Sequence, residues 1–475
     1  MQERIVGRKQ EIDTLHELYQ SEFSEFVAIC GRRRVGKTFL VREYFEKELV
    51  FSISGLANCG MAQQLEQFRN GLLRCGVKQQ RSFRNWQEAF EALIDYLSKL
   101  PGQGKKVVFL DELPWMDTPK SGFISALEGF WNSWACGRHD ILLVVCGSAT
   151  SWMMNKLITN HGGLHNRLTR HIYLQPFCLA ETQLMLERKG LHLSLYETAV
   201  CYMIFGGIPF YLNLLDSSFS LAQNIDKLLF QETGELYREF DSLYAALFRN
   251  SREYVEVVSV LSKHLSGMSR AELLEAMSKT SGKSLSTILA NLEYCGFIRQ
   301  FSAIGSRRRQ KMYQLVDFFS LFYFHFMKKH LYDNNNFWQS LQGTSRFYTW
   351  AGLTFELLCL KHMEQIKRAL GIQGVLSNEY AYRTPTENKN QAQIDLLIDR
   401  KDNTISICEA KFSEGNYVIS AEEELKLRNR LLAVREMVGR HKSLQLVMMT
   451  TFGVAEGKHS GIVQKEITLK DLFAV

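Results

Sequence analysis

The stretch "EFVAICGRRRVGKTFLVREYF" constrains this chain more than any other. An apolar run, Phe26 to Cys30, reads as a buried strand, a loop follows between Gly31 and Gly36, and an amphipathic helix begins around Lys37. Strand, glycine-bracketed loop and helix in that order make a phosphate-binding loop. The bends at Gly31 and Gly36 aim the N–H groups of Gly31, Arg32, Arg33, Arg34, Val35 and Gly36 at phosphate oxygens. Lys37 reaches the terminal phosphates and the Thr38 hydroxyl reaches Mg²⁺. The GxxxxGK[ST] spacing is met in full, so a nucleotide-binding α/β domain with a parallel sheet is expected. The arginine triple Arg32, Arg33 and Arg34 either adds charge toward the phosphates or points into solvent, and solvent is the simpler expectation.

Such a loop needs an acid from a second strand. "KKVVFLDELPW" supplies a continuous apolar run, Val107 to Leu110, ending in Asp111 and Glu112, as expected of a strand buried on both faces of a parallel sheet. Asp111 would hold Mg²⁺ through its water shell and Glu112 would orient and deprotonate the attacking water. The simpler alternative is an acidic pair that merely caps a strand. A third run, "DILLVVCGSAT", ends at Ser148, beyond the carboxyl end of its strand where ligands of open α/β sheets sit. Ser148 there either bonds the terminal phosphate or attacking water, or simply closes a strand.

These motifs, with "RIVGRKQEIDTL" ahead of the loop, "CGSATSWM" and "GGIPFYLNLL", resemble the archaeal-type P-loop ATPases, relatives of the AAA+ and STAND classes. The likeness covers roughly the first half of the chain. It implies ATP as the nucleotide, hydrolysed with Mg²⁺, and places Val6 to Glu11 near the adenine. It also puts Gly207 and Pro209 at the start of a helical lid that contacts the nucleotide. In such proteins an arginine after the third strand serves as a sensor or finger, and "GGLHNRLTRHIYLQPF" offers Arg167 and Arg170. The alternative for both is a surface cation near a strand.

At 475 residues the chain exceeds one ordinary core. The expected division is an ATPase core at 1–180, a helical lid at 181–248, a winged-helix-like module at 249–330 and a nuclease-like domain at 331–475. With 46% hydrophobic residues and 6 prolines, nearly all of it should be folded. The formal charge of +7 suits an anionic partner and equally an ordinary, mildly basic protein. The 10 cysteines are scattered without a CxxC pair, which suggests reduced, buried thiols in a cytoplasmic protein. The amino terminus carries too little apolar content for a signal peptide. "LVDFFSLFYFHFMKKH" is too short to cross a bilayer and reads as a buried helix, so no membrane partner is expected.

From about Ser251 the pattern turns to short helices, with Ser269 and Ser284 as N-cap candidates. Two strand-like pieces around Gly305 follow, carrying Arg307, Arg308, Arg309 and Lys311 at their turn. The whole resembles a winged helix, with Ser284 to Glu293 as its recognition helix. That helix has few side chains able to read base edges, whereas phosphate contact by the arginine turn is physically easy. DNA or RNA is therefore an expected partner, against a module that only joins domains. Assembly into a homo-oligomer is also expected.

In the last third, Glu356 lies in the helix "WAGLTFELLCLKHMEQI", apolar on nearly every side, where a carboxylate needs a cation or donors. "AQIDLLID" and "TISICEAKF" read as two strands joined across a tight turn. If Asp395 stands opposite Glu409, then Asp395, Glu409 and Lys411 share one face. Two convergent carboxylates bind a hard divalent cation, and the ammonium beside them steadies hydroxide or a crowded phosphate. Glu356, Asp395 and Glu409-Ala410-Lys411 together resemble the PD-(D/E)xK nuclease superfamily over about Trp350 to Val475. The likeness implies metal-dependent phosphodiester cleavage. The alternatives are a hairpin with a surface ion pair and a nuclease-like domain that binds without cutting.

Overall fold

The computed structural model describes residues 4–78, 81–102, 104–148, 150–158, 166–248, 250–277, 282–304, 311–330, 336–383, 393–439 and 441–474. The chain forms two units, Met1–Pro176 and Phe177–Val475.

In the first unit the apolar runs become a five-stranded parallel sheet. Its strands are β1 (Glu25–Cys30), β2 (Leu49–Ser54), β3 (Lys106–Asp111), β4 (Ile141–Gly147) and β5 (Arg170–Tyr173), in the order β2-β3-β4-β1-β5. All residues of β3 and β4 are buried, as strands covered on both faces must be. One face packs an aromatic core in which Phe68, Trp86, Phe90, Phe123 and Phe130 meet. Trp86 and Phe123 sit edge to face with centroids 4.7 Å apart, the orientation the ring quadrupoles favour.

The second unit begins with helices and then lays down an eight-stranded sheet. Its strands are β6 (Met268–Ser269), β7 (Ile298–Ile304), β8 (Lys311–Leu315), β9 (Ser377–Arg383), β10 (Gln393–Arg400), β11 (Thr404–Lys411), β12 (Ser443–Thr450) and β13 (Lys465–Thr468). They run in the order β13-β12-β11-β10-β9-β7-β8-β6. The helices Ser251–Leu261, Arg270–Ala276 and Gly282–Tyr294 precede the antiparallel pair β7–β8. Ser269 caps its helix, accepting from Glu272 N–H. Ser284 does not cap: the helix already runs from Gly282, and the Ser284 hydroxyl donates to Glu253 at 3.0 Å. Arg307, Arg308 and Arg309 lie outside the described residues, whereas Lys311 opens β8 and is exposed.

The segment Phe318–His330 is helical and buried along most of its length, with Phe319 and Phe322 fully enclosed. Among the described residues no helix is long and apolar enough to cross a membrane. No disulfide joins the ten cysteines, all of them among the described residues; six are buried, whereas Cys136 is exposed.

Candidate functional site

In the first unit β1 delivers the chain into the loop 31–36. Gly31 has φ 145°, and a Cβ there would lie 2.4 Å from the Leu174 carbonyl oxygen, so only glycine fits. Gly36 has φ 93° and sits immediately before the helix Lys37–Tyr44. Lys37 is buried, and its Nζ donates to the Gly31 and Arg32 carbonyls, both at 2.9 Å. Burial lowers the Lys37 pKa, opposed by the charges of Glu112 and Asp111. Arg32 is buried rather than in solvent, while Arg33 and Arg34 are half-buried. Arg34 is left-handed at φ 72°. Val35 is buried, and its carbonyl accepts from Arg8 Nη2 at 3.1 Å. Arg8 Nη1 also donates to the Gln175 carbonyl at 2.7 Å. Arg8 lies within the segment expected near the adenine, but its clamp on the loop was not read from the sequence. Arg8 stands between Gly7 and Lys9, so the sequence carried no signal that it, among the basic residues there, is the buried one.

The acidic pair sits across from the loop. Thr38 Oγ1 donates to Asp111 Oδ2 at 2.9 Å, which brings the two expected Mg²⁺ residues together. Burial raises the Asp111 pKa, with the neighbouring Glu112 adding to it and the Thr38 bond opposing it. A buried carboxylate beside another acid is a site that a cation relieves, so the pair fits Mg²⁺. Glu112 is held left-handed at φ 47°, a conformation that costs a non-glycine residue about 1–3 kcal/mol and gathers at functional sites. Ser148 is committed to this acid: its Oγ donates to Glu112 Oε2 at 2.9 Å and its N–H at 3.2 Å. The serine expected to meet the terminal phosphate or the attacking water thus also holds Glu112. Arg167 and Arg170 are exposed, Arg167 ahead of β5 and Arg170 at its first position. No hydrogen bond or ion pair among the described residues joins Arg167 to the loop.

Gly207 and Pro209 belong to the second unit. The Gly207 carbonyl accepts from Phe177 N–H at 2.8 Å, and Pro209 occupies the first turn of the helix Pro209–Asn213, where its missing N–H costs nothing.

The carboxy-terminal acids are gathered in the second unit. β10 and β11 pair antiparallel with Leu396 opposite Cys408 and Leu397 opposite Ile407. One step further that register sets Asp395 beside Glu409, and Ala410 N–H donates to Asp395 Oδ2 at 3.2 Å. Ile405, Ile407, Glu409 and Lys411 share one face of β11 by strand alternation. The helix Ala421–Val438 covers that face with Leu427 and Val434. On the same helical stripe Glu423 and Arg430 meet the charges. Lys411 Nζ lies 3.0 Å from Glu409 Oε1 and 2.9 Å from Glu423 Oε1, and Arg430 Nη1 lies 2.7 Å from Glu409 Oε1. With Glu409 only 2% exposed, this is no surface ion pair. Burial alone would lower the Lys411 pKa, but Glu409 and Glu423 outweigh it and hold the ammonium above its ordinary value.

Glu356, on the helix Ser345–Lys361, completes the cluster. Burial, reinforced by the charges of Asp395 and Glu409, pushes Glu356 up to about 8. Burial and Glu409 push Asp395 up to about 7. Glu409 Oε2 is buried without a hydrogen-bond partner. Crowded acids and an orphaned carboxylate oxygen are what a divalent cation between Asp395 and Glu409 would relieve. Among the described residues, however, no three or more His, Cys, Asp or Glu side chains stand as a ready ligand set. Arg430 and Glu423 were missed in the sequence. The signal was there: seven residues apart, they are the charged positions on a stripe otherwise marked by Leu427 and Val434.

Residues 5–215 match the model of a family described as an ATPase domain predominantly from Archaea. An uncharacterized protein of Methanocaldococcus jannaschii is 24% identical over 329 residues, covering 68% of this chain and 69% of that protein. Among solved structures, a Walker-type ATPase of Pyrococcus abyssi is similar at 18% identity and a TM-score of 0.47, over 68% of this chain and 96% of that one. The Aeropyrum pernix ORC2 protein, solved in ADPNP–ADP complexes, is similar at 14% identity and a TM-score of 0.43, over 71% of this chain and 95% of that one. The family match over residues 5–215 supports an ATPase domain in that part of the chain.

Proposed function

We propose that this protein is an ATP-hydrolysing switch whose nucleotide state controls a metal-dependent nuclease acting on DNA or RNA. In the ATPase part, Gly31, Arg32, Arg33, Arg34, Val35 and Gly36 cradle the phosphates and Lys37 neutralises them. Thr38 and Asp111 take Mg²⁺, Glu112 held by Ser148 orients the water, and Arg167 meets the developing charge. Residues 181–248, with Pro209, serve as the lid, 249–330 as a winged-helix-like coupler and 331–475 as the nuclease-like domain. The protein works as a homo-oligomer in the cytoplasm.

The observation that carries the nuclease reading is the meeting of Glu356, Asp395, Glu409 and Lys411, with the carboxyls crowded and Lys411 held charged. When bound, the divalent cation activates water and steadies the phosphate. Asp395 and Glu409 would hold it, Glu356 would accept a proton from the attacking water, and Lys411 would steady the negative charge of the phosphate under attack. The test is cleavage of labelled single- and double-stranded DNA and RNA with Mg²⁺ or Mn²⁺, comparing wild type with Lys411→Ala. Cutting that the variant loses supports the reading, and no cutting by wild type sinks it.

A second reading has its own observation. Glu409 is already paired with both Arg430 and Lys411, which supports a cation-satisfied relic that binds nucleic acid or protein without cutting. On that reading ATP regulates a scaffold.

A further inference from the structure

Tyr196, in the stretch assigned above to the lid, touches the residue next to Lys411. It lies in the first turn of the helix Leu195–Phe205, which Ser194 caps by accepting from Glu197 N–H. Its ring stacks on Phe412 with centroids 5.0 Å apart and planes at 30°, and on Phe452 at 5.9 Å and 18°. Phe412 directly follows Lys411 in the chain. Phe412 also meets Phe355 at 5.6 Å, and Phe355 directly precedes Glu356. Glu356 and Lys411 thus each have an aromatic neighbour in the chain, and those two rings are packed together. Close-packed interiors transmit displacement, so a shift of Phe412 against Phe355 changes the spacing of Lys411 and Glu356.

The contact is finely balanced. The Tyr196 hydroxyl is buried without a hydrogen-bond partner. Burial, reinforced by the charge of Glu414, holds the phenol above its ordinary pKa, so the hydroxyl stays neutral. Ring stacking favours the contact, and the unsatisfied hydroxyl opposes it by a similar amount. Two arrangements of similar energy are what an element coupling two sites needs.

The rest of the helix is anchored. Thr198 to Phe205 are all buried. Tyr202 packs edge to face on His362 with centroids 5.3 Å apart. His362 Nε2 accepts from Leu179 N–H at 3.0 Å, and its Nδ1 donates to the Leu358 carbonyl at 2.8 Å. From Tyr196 to Tyr202 is six residues, about 9 Å along the axis. A tilt of the helix about that anchor therefore moves the ring on Phe412 more than the buried half.

We propose that Tyr196 is a positioning residue: stacked on Phe412, it carries the nucleotide state of the ATPase part to Lys411 and Glu356. The contact stands on its geometry, and the role given to it rests on the ATP-switch reading above.

The test is hydrogen exchange over residues 409–416 of the full chain with ADP and with the non-hydrolysable analogue ADPNP. Wild type is compared with Tyr196→Leu, Phe412→Leu and Tyr196→Phe, each checked for folding by thermal melting. Exchange in wild type should differ by about fivefold or more between the nucleotides, and by less than about twofold in both leucine variants. Tyr196→Phe keeps the ring and loses only the unpartnered hydroxyl, so it should retain the wild-type difference and melt no lower than wild type. Where nucleic acid is cut, the cleavage rates should follow the same pattern, whereas a merely structural Tyr196 would change all rates alike and leave their ratio between nucleotides untouched. A wild-type difference that survives in a folded leucine variant overturns the proposal and leaves the switch reading standing. A difference absent from wild type removes the switch reading and this role with it. A difference that depends on Tyr196 in a protein that cuts nothing under any metal sinks the nuclease reading and leaves the role of Tyr196 standing.

Discussion

The phosphate loop takes its working residues from one continuous stretch, Gly31 to Thr38, and borrows only Asp111, Glu112 and Ser148 from neighbouring strands. The acid cluster of the second unit draws Glu356 from one helix, Asp395 and Glu409 from two strands, and Arg430 from another helix. A site written in one stretch is fixed largely by backbone conformation: Gly31 at φ 145° and Gly36 at φ 93° hold angles that other residues rarely adopt. A site assembled from distant elements is fixed by packing and charge balance, and small changes in charge should retune it. The two should therefore respond differently to substitution.

The largest expected effect is in the loop. Lys37→Ala should lower ATP turnover by about 10²-fold or more, the scale of losing a charged transition-state contact, without altering metal affinity in the second unit. Steady-state turnover and a Mn²⁺ titration read the two halves separately. Lys411→Ala should reverse that pattern, lowering nucleic-acid cleavage by about 10²-fold while ATP turnover at saturating ATP stays within about twofold. Lys411→Ala lowering ATP turnover as much as cleavage would erase the distinction.

Smaller effects sharpen it. Ser148→Ala deprives the Glu112 carboxylate of one charge-assisted bond, an expected loss of about tenfold in kcat for ATP with little change in KM. Pre-steady-state measurement of the hydrolysis step would locate the loss. Arg430→Gln removes a cation that competes for Glu409 Oε1. Mn²⁺ should then bind about tenfold or more tightly, because removing one partner of a buried pair leaves an uncompensated charge on Glu409. Calorimetric titration would show it, and weaker binding would instead make Arg430 a support for the metal residues.

The same contrast explains what could be read beforehand. The run Phe26 to Thr38 announces strand, loop and helix in consecutive letters, and the strands ending in Asp111 and Ser148 follow from their apolar character. That Ser148 bonds Glu112 depends on a left-handed turn at Glu112, which an acidic residue does not advertise. In the second unit, strand alternation suggested that Glu409 and Lys411 share a face. The partnership with Arg430 and Glu423 required knowing which helix covers β11. Ser284 was misjudged because the helix begins two residues earlier, and serine signals a cap only relative to a known helix start. The stacking of Tyr196 on Phe412 was not legible at all, since the two rings are brought together from widely separated segments.

If this reading holds, nucleotide state at the loop governs chemistry at the acid cluster. The most direct measurement is the initial rate of nucleic-acid cleavage with ATP, with ADP and with neither, in wild type and in Lys37→Ala. Coupling between sites is typically worth about 5- to 150-fold, so wild-type rates should differ by at least about fivefold between nucleotide states and become uniform in the variant. Identical wild-type rates in all three states would contradict the claim and leave two independent activities in one chain.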